Sequence, residues 1–431
     1  AKVIVSDLGG ASIFVSPDAS LRYWLPGLER TTPELLRWVR EWVRPGDCVW
    51  DVGANVGVFG LASAWRTGAT GAVLLIEPDP WLRHYGFDPQ RLDSTVLLHA
   101  VRKVNPQLKL MASPWSAPAW MKDSGSAIKG HLLRMYYGAY ADYLLRVVQS
   151  YAAAGLPLYA ITVQNEPGFE PKDYPGMRMD ADERAEFIGK TFGPRLARTP
   201  RAPLLLDYDH NWDDPLSPAM VLDDPEVARY VAGVAWHCYR GDVATQSTVH
   251  AAHPDKLVFI TECSGGEWRQ GWAHTFGWFM GTLLIDGARN WSSGTVLWNL
   301  ALDPQHGPHK AGCNTCSGVV TVDPASGTVT RNPEYYALAH FTRCLAPGAV
   351  RVGTYAEAPG LHAVAFRNRD GSFELVGYND TDDARNVTVR AGDDSLDFTL
   401  PAAGAATLCW GVPGKAERLL EPIKRVLRPG H

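Results

Sequence analysis

The chain has 431 residues, 46% hydrophobic and 20% charged, which is enough apolar material for a large buried core and excludes a globally disordered chain. Its formal charge of −5 argues against duplex nucleic acid or an anionic membrane as the main partner. No apolar run approaches the ~18 residues needed to span a bilayer. Seven widely spaced cysteines do not make a disulfide scaffold: six can pair and one is left over. The 16 Trp and 16 Tyr offer flat faces with polar edges, which suit sugar rings and large cores alike.

The opening AKVIVSDLGG has neither a basic region nor a long apolar core, so it does not read as an intact signal peptide. Residues 1–44 read as a short hairpin (KVIV, SIFV) followed by an amphipathic helix, TPELLRWVREWV. From Cys48 a strand–helix alternation begins. Eight strand candidates, each mostly apolar, are CVWDVG (48–53), AVLLIEP (72–78), LKLMASP (108–114), YAITVQNE (159–166), PLLLDYD (203–209), GVAWHCY (233–239), LVFITE (257–262) and TVLWNLAL (295–302). Helical stretches lie at 55–66, 90–104, 131–154, 181–197 and 268–288, with weaker linkers at 216–230 and 242–252. The pattern predicts an α/β fold over 45–345, either a (β/α)8 barrel or a large doubly wound sheet. Residues 346–411 alternate with period two between Gly, Asn and Asp turns and predict a β-sandwich side domain. A basic tail with a short apolar face occupies 412–431.

In a barrel the chemistry sits at the C-terminal strand ends. The fourth strand ends in Gln164-Asn165-Glu166-Pro167 and the seventh in Thr261-Glu262. Two carboxylates at strand mouths suit a retaining glycosidase, with one as acid and then base and the other as nucleophile. Taken singly, each also reads as a solvated loop residue. Asn165 is placed to hold a sugar 2-hydroxyl. In the sixth strand, Tyr239 can donate to the nucleophile and His237 can contact a sugar hydroxyl; the plainer reading is a core His beside a packed Tyr. Trp298 can floor the sugar site or fill the barrel. Trp115 and Trp120, in the loop SPWSAPAWMK, form an aromatic wall or a hydrophobic plug.

Together these segments resemble glycoside hydrolase family 30, the glucosylceramidase-like family. The resemblance rests on ASPWSAPAWMK (112–122), ITVQNEP (161–167), YPGMRMDADERAEFI (174–188), LLLDYDHNWDDP (204–215), WHCY (236–239), ITECSGG (260–266), LWNLALD (297–303) and GCNTCSGVVTVD (312–323). It runs from about Gly86 to Trp410. It implies that Glu166 is the acid/base and Glu262 the nucleophile, that no metal or organic cofactor is needed, and that the substrate is a β-D-glucoside, from aryl glucosides to glucosylceramide or β-1,6-glucan. It also favours secretion, whereas a native N-terminus would favour the cytoplasm.

The first 85 residues do not fit that family. Residues 48–80 instead resemble the start of an FkbM-type, S-adenosylmethionine-dependent methyltransferase, with Asp51–Gly57 as its glycine loop and Glu77 as the acid on the ribose. The implication is an apparent chimera in which this βαβ unit supplies barrel strands one and two. The family's second strand carries an Arg that supports the nucleophile. Here that strand has Val73, Leu74 and Leu75, and Glu77 or Asp79 stands near an expected sugar-binding Asp. Two other readings follow: a catalytically weak or dead carbohydrate-binding barrel, and an S-adenosylmethionine-binding protein. His306, His309, Cys313 and Cys316 have zinc-like spacing that fits a loop disulfide or free thiols equally.

Overall fold

The computed structural model describes residues 93–411, apart from 270, 310, 311, 357 and 393, together with 2–5, 11–14, 37, 41, 44, 48–52 and 72–76. The chain forms two compact units. One comprises Ala1–Ile161, Glu170–Met177 and Lys190–Leu204; the other comprises Thr162–Phe169, Arg178–Gly189 and Leu205–His431.

In the first unit β1 (Lys2–Val5) pairs antiparallel with β2 (Ala11–Phe14). β3 (Cys48–Val52) pairs in parallel with β4 (Ala72–Ile76), Cys48 lying opposite Ala72. Helix α1 (Asp93–Val104) precedes β5 (Leu110–Ala112), and α2 (Tyr137–Ala153) leads to β6 (Leu158–Thr162). Tyr140, Ala141, Leu144 and Val148 recur at helical spacing on α2 and are buried, so this stripe faces the core.

Next come α3 (Ala181–Phe187), β7 (Leu204–Trp212), α4 (Leu216–Leu222), α5 (Pro225–Ala228), β8 (Gly233–Gly241), α6 (Thr245–Ala252), β9 (Leu257–Glu262), α7 (Trp272–Trp278) and β10 (Ser292–Thr295). Asp180 and Glu183 form a reciprocal capping box that starts α3. The parallel sheet runs β10-β9-β8-β7-β6-β5, in unbroken chain order. A doubly wound sheet reverses its order at a switch point, whereas a barrel does not, so the order selects the barrel of the two expected architectures. β7 is buried nearly throughout, as are Gly233–His237 of β8 and Val258–Ile260 of β9, the pattern of parallel strands covered on both faces. The last barrel strand lies earlier than the expected 295–302: β10 spans Ser292–Thr295, meets that range only at Thr295, and Trp298 lies beyond it.

The methyltransferase-like strands differ in standing from the rest. Among the described residues β3 and β4 bond only to each other, and no ladder joins them to the six-stranded sheet as barrel strands one and two. The expected helix at 55–66, the loop Gly53–Gly57 and the tail 412–431 lie outside the described residues.

One ion pair locks α3 to β7 within the second unit. Arg184 Nε donates to Asp207 Oδ1 at 2.8 Å, with both side chains essentially inaccessible. Its remaining nitrogens donate to the Met179 carbonyl and the Ser217 hydroxyl, each at 2.9 Å. Removing one member of such a pair strands a buried charge at a cost of about 3–5 kcal/mol, so the satisfied guanidinium holds β7 in one position.

Beyond the parallel sheet come β11 (Ala301–Leu302), β12 (Val320–Val322), β13 (Val329–Arg331) and α8 (Pro333–Thr342). Then β14 (Val350–Val352), β15 (Leu361–Arg367) and β16 (Phe373–Asn379) join β19 (Ala405–Trp410) in an antiparallel sheet, while β17 (Arg385–Ala391) pairs with β18 (Asp394–Leu400). Cys344 and Cys409 are disulfide-bonded across this region. The sheet meets the helix that α7 begins at Gly277, where a β-carbon would fall 2.1 Å from the Tyr378 hydroxyl, so only glycine permits that approach.

Candidate active site

The groups that face one another here all belong to the second unit. The chain leaves β6 through Val163, Gln164 and Asn165 to Glu166, whose backbone is left-handed at φ 45°. Tyr208 and Asp209 on β7 are also left-handed, at φ 78° and 52°. Such backbone costs about 1–3 kcal/mol per residue and persists only where surroundings over-determine it. One bond tying the two segments together is Glu166 N–H donating to the Asp209 carbonyl at 2.9 Å.

His237, on β8, is the hub. Its side chain is 1% exposed. Nδ1 lies 3.1 Å from Glu166 Oε1, Nε2 lies 3.2 Å from Asp209 Oδ1, and Glu262 Oε2 is 4.0 Å from Nε2. Burial alone would lower the imidazole pKa, but the bonds to Asp209 and Glu166 and the surrounding negative charge lift it to about 10. The ring is therefore an imidazolium at neutral pH and donates from both nitrogens. Asp209 is fixed from both sides: Thr261 Oγ1 donates to Oδ1 at 2.6 Å and Thr162 Oγ1 to Oδ2 at 2.9 Å.

The two glutamates respond in opposite directions. Burial pushes Glu166 up, but hydrogen bonds and charge from His210 and His237 outweigh it and hold the carboxyl at about 2. The His210 contact is the longer, Nδ1 lying 3.6 Å from Glu166 Oε1. Glu262, at the end of β9, is raised to about 7, mainly by burial and with a contribution from the Glu166 charge, against the opposing pull of His237. The Tyr239 hydroxyl donates to Glu262 Oε1 at 2.9 Å, while its amide donates to Asn211 Oδ1 at 3.0 Å.

A disulfide brackets this contact. Cys238, just before Tyr239, bonds Cys263, just after Glu262. Cys263 is completely buried, and its carbonyl accepts from the Trp298 amide at 2.8 Å. Tyr239 and Trp298 are 40% and 39% exposed, so both present open aromatic surface beside Glu262.

Of the residues singled out in the sequence, the structure thus brings Glu166, His237, Tyr239, Glu262 and Trp298 into one region. Asn165 is buried next to Glu166. Of the two readings of His237, its burial and its engagement at both nitrogens fit the core histidine, which underlies the carboxylates. Trp115 and Trp120 belong to the first unit, where Trp115 meets Tyr174 at 5.4 Å and Trp120 stands edge-on to Tyr136 at 5.1 Å. Glu77 and Asp79 lie outside the described residues. The zinc-like spacing resolves into a Cys313–Cys316 disulfide, which leaves no thiolate there, and His306 turns to the Cys316 carbonyl at 2.8 Å and to Glu267 at 3.1 Å. The sequence reading passed over Asp209, His210 and Thr261. The signal was present in LLLDYDHNW, where Asp207, Asp209 and His210 interrupt an otherwise apolar strand, and buried charge needs a partner.

Residues 86–345 match the model of the glycosyl hydrolase family 30 TIM-barrel domain, and residues 348–408 match that of the family's β-sandwich domain. The chain is 35% identical over 336 residues to an endo-1,6-β-D-glucanase of Neurospora crassa, covering 72% of this chain and 68% of the relative. It is 34% identical over 338 residues to an endo-1,6-β-D-glucanase of Aspergillus fumigatus, covering 72% and 67%. A solved endo-β1,6-glucanase structure superposes with a TM-score of 0.73 at 25% identity, covering 86% of this chain and 91% of that one. The family models over both domains and the relatives at 34–35% identity place the chain in glycosyl hydrolase family 30, as a β-glycosidase with a TIM barrel and a β-sandwich.

Proposed function

We propose that the enzyme hydrolyses β-1,6-linked glucan through a double displacement in which Glu262 attacks the anomeric carbon and Glu166 protonates the leaving oxygen, then activates water. The single observation that carries the catalytic reading is geometric: Glu166, just past β6, and Glu262, at the end of β9, converge on one buried His237, at 3.1 and 4.0 Å. The choice of linkage is supported by the endo-1,6-β-glucanases that the chain resembles.

A retaining site needs one carboxylate ionised and one protonated. Between about 2 and about 7 this pair holds a single proton, which rests on Glu262 in the free enzyme. The mechanism needs it on Glu166. Substrate supplies the bias: positive charge developing at the anomeric carbon favours ionised Glu262, and negative charge developing on the leaving oxygen favours protonated Glu166. The proton is therefore a property of the pair. Tyr239 steadies the ionised form of Glu262 by donating to it, the service that a strand-two Arg would otherwise share. The open face of Trp298 stacks on the sugar.

We further infer that 48–78 derives from a methyltransferase-like βαβ unit, a reading supported by the in-register parallel pairing of β3 and β4. The resemblance stops after Pro80, short of the further strands that a methyltransferase sheet uses to hold its cofactor. Calorimetric titration with S-adenosylmethionine is expected to give no heat of binding, and saturable binding would restore a cofactor role to the segment.

Catalysis is tested with p-nitrophenyl β-glycosides and a soluble β-1,6-glucan. The wild-type protein should act on the β-glucoside and the glucan. Glu262→Gln should lower turnover by about 10⁴-fold or more. Glu166→Gln should lower it by about 10²–10⁴-fold, with the larger loss on the glucan, whose leaving group needs protonation most. Wild-type turnover that survives Glu262→Gln would overturn the assignment, and binding of glucan without turnover would make this a sugar-binding barrel.

The pH dependence follows from the shared proton. As pH rises through about 7 the pair loses that proton, so kcat/KM should fall in the free enzyme with an apparent pKa near 7. His237, charged until about 10, should contribute no limb below that. Activity that instead climbs through pH 7 would mean the ionised pair is the working form, and the proposed proton count would be wrong.

A further inference from the structure

The register between β8 and β9 slips beside the reacting groups. Trp236 pairs with Ile260 but His237 pairs with Glu262, so two residues of β9 stand against one of β8. The extra residue is Thr261, whose hydroxyl reaches Asp209. Such an irregularity re-aims a side chain and interrupts the ladder that otherwise fixes two strands together. Among the described residues, His237–Glu262 is the last backbone pair between these strands. Directly past it on the two strands stand Cys238 and Cys263, joined by a disulfide with their α-carbons 5.4 Å apart. A covalent bond thus takes over where the ladder stops.

The half-cystines are placed to act on the site without entering it. Successive side chains of a strand point to opposite faces. His237 and Tyr239 share one face of β8, their rings edge to face at 6.1 Å and both reaching Glu262, so Cys238 between them lies on the other face. Cys263 meets it there and is completely buried. The bond ties the strands from behind the reacting face and takes no room from substrate. Tyr239 and Glu262 each adjoin a half-cystine, and the hydrogen bond between them is 2.9 Å long. Such a bond weakens steeply as it bends or lengthens. Burial, Glu166 beyond β6 and Asp209 of β7 oppose ionisation of Glu262, whereas His237 and Tyr239 of β8 favour it. The charges act through space and change slowly with distance. Tyr239 acts through its hydrogen bond, so a small relative shift of β8 and β9 falls first on Tyr239.

We propose that the Cys238–Cys263 disulfide is a positioning element of the active site, holding the Tyr239 hydroxyl on Glu262 so that the nucleophile stays aimed at the anomeric carbon. The role of Glu262 rests on the catalytic reading above.

Cys238→Ser opens the bond at its half-buried end and leaves the buried Cys263 in place. With p-nitrophenyl β-glucoside, kcat should fall about five- to tenfold while KM stays within about twofold. The alkaline limb of kcat/KM should move up from about 7, because lost donation from Tyr239 favours the protonated carboxyl. Tyr239→Phe should shift the limb the same way and cost about tenfold or more in kcat. Adding Cys238→Ser to it should then cost less than about twofold, since both act through one contact. Cys344→Ser opens the sandwich disulfide and serves as the reference for plain destabilisation: it should lower Tm and leave the limb where it is. Should Cys238→Ser fail to fold, Cys238→Ala with Cys263→Ala, which leaves no free thiol at the site, carries the test. An unmoved limb, or a Cys238→Ser loss that repeats in full on Tyr239→Phe, would overturn the positioning role and leave a structural cross-link. Turnover lost in Glu262→Gln but kept by Cys238→Ser would remove this inference alone, whereas turnover that survives Glu262→Gln would remove the catalytic reading and this inference with it.

Discussion

Everything in the active site depends on a buried cation. The His237 imidazolium sits where water cannot reach it, between Asp209 on one side and Glu166 on the other, with Glu262 at the edge of its reach. A charge in that position is tolerable only if every neighbour stays in place, because removing a partner leaves it unpaired in a low-dielectric interior. The surrounding structure supplies that constancy. Thr162 and Thr261 hold Asp209, left-handed backbone aims Glu166 and Asp209, the Arg184–Asp207 pair fixes the same strand two residues earlier, and the Cys238–Cys263 disulfide joins the ends of β8 and β9.

The same cation sets the proton inventory. It stabilises the carboxylate it touches most closely and leaves the other, more distant, to respond to burial. Two chemically identical side chains thereby separate into an ionised Glu166 and a protonated Glu262, the reverse of the forms that double displacement uses, so substrate has to move the shared proton to Glu166. The separation comes from three strands and needs no group from a second-strand Arg.

How far this was legible from the sequence differs by residue. Glu166, Glu262 and Tyr239 stand at apolar strand ends with few alternatives, so periodicity and the barrel rule reach them. His237 was visible with both its readings, a sugar contact and a core histidine, and the burial of the ring against Asp209 favours the second. Asp209 and His210 hid inside a strong strand pattern, where period-two alternation does not reveal that the backbone turns left-handed. The last barrel strand was placed too late because Val296, Leu297 and Trp298 are more strand-like in composition than the Ser292–Thr295 segment that forms β10. Disulfide partners were out of reach, since spacing counts cysteines without placing them in space.

The central claim is that Glu262 forms the covalent bond while Glu166 handles the proton. Incubation with a 2-deoxy-2-fluoro-β-D-glucosyl fluoride slows breakdown of a glycosyl-enzyme more than its formation, so the intermediate accumulates. Peptide mapping by mass spectrometry should then find one added fluoroglucosyl group, carried by the peptide that contains Glu262 and absent from the Glu262→Gln protein. A label on Glu166, or steady hydrolysis of the reagent with no label on either residue, would contradict the account.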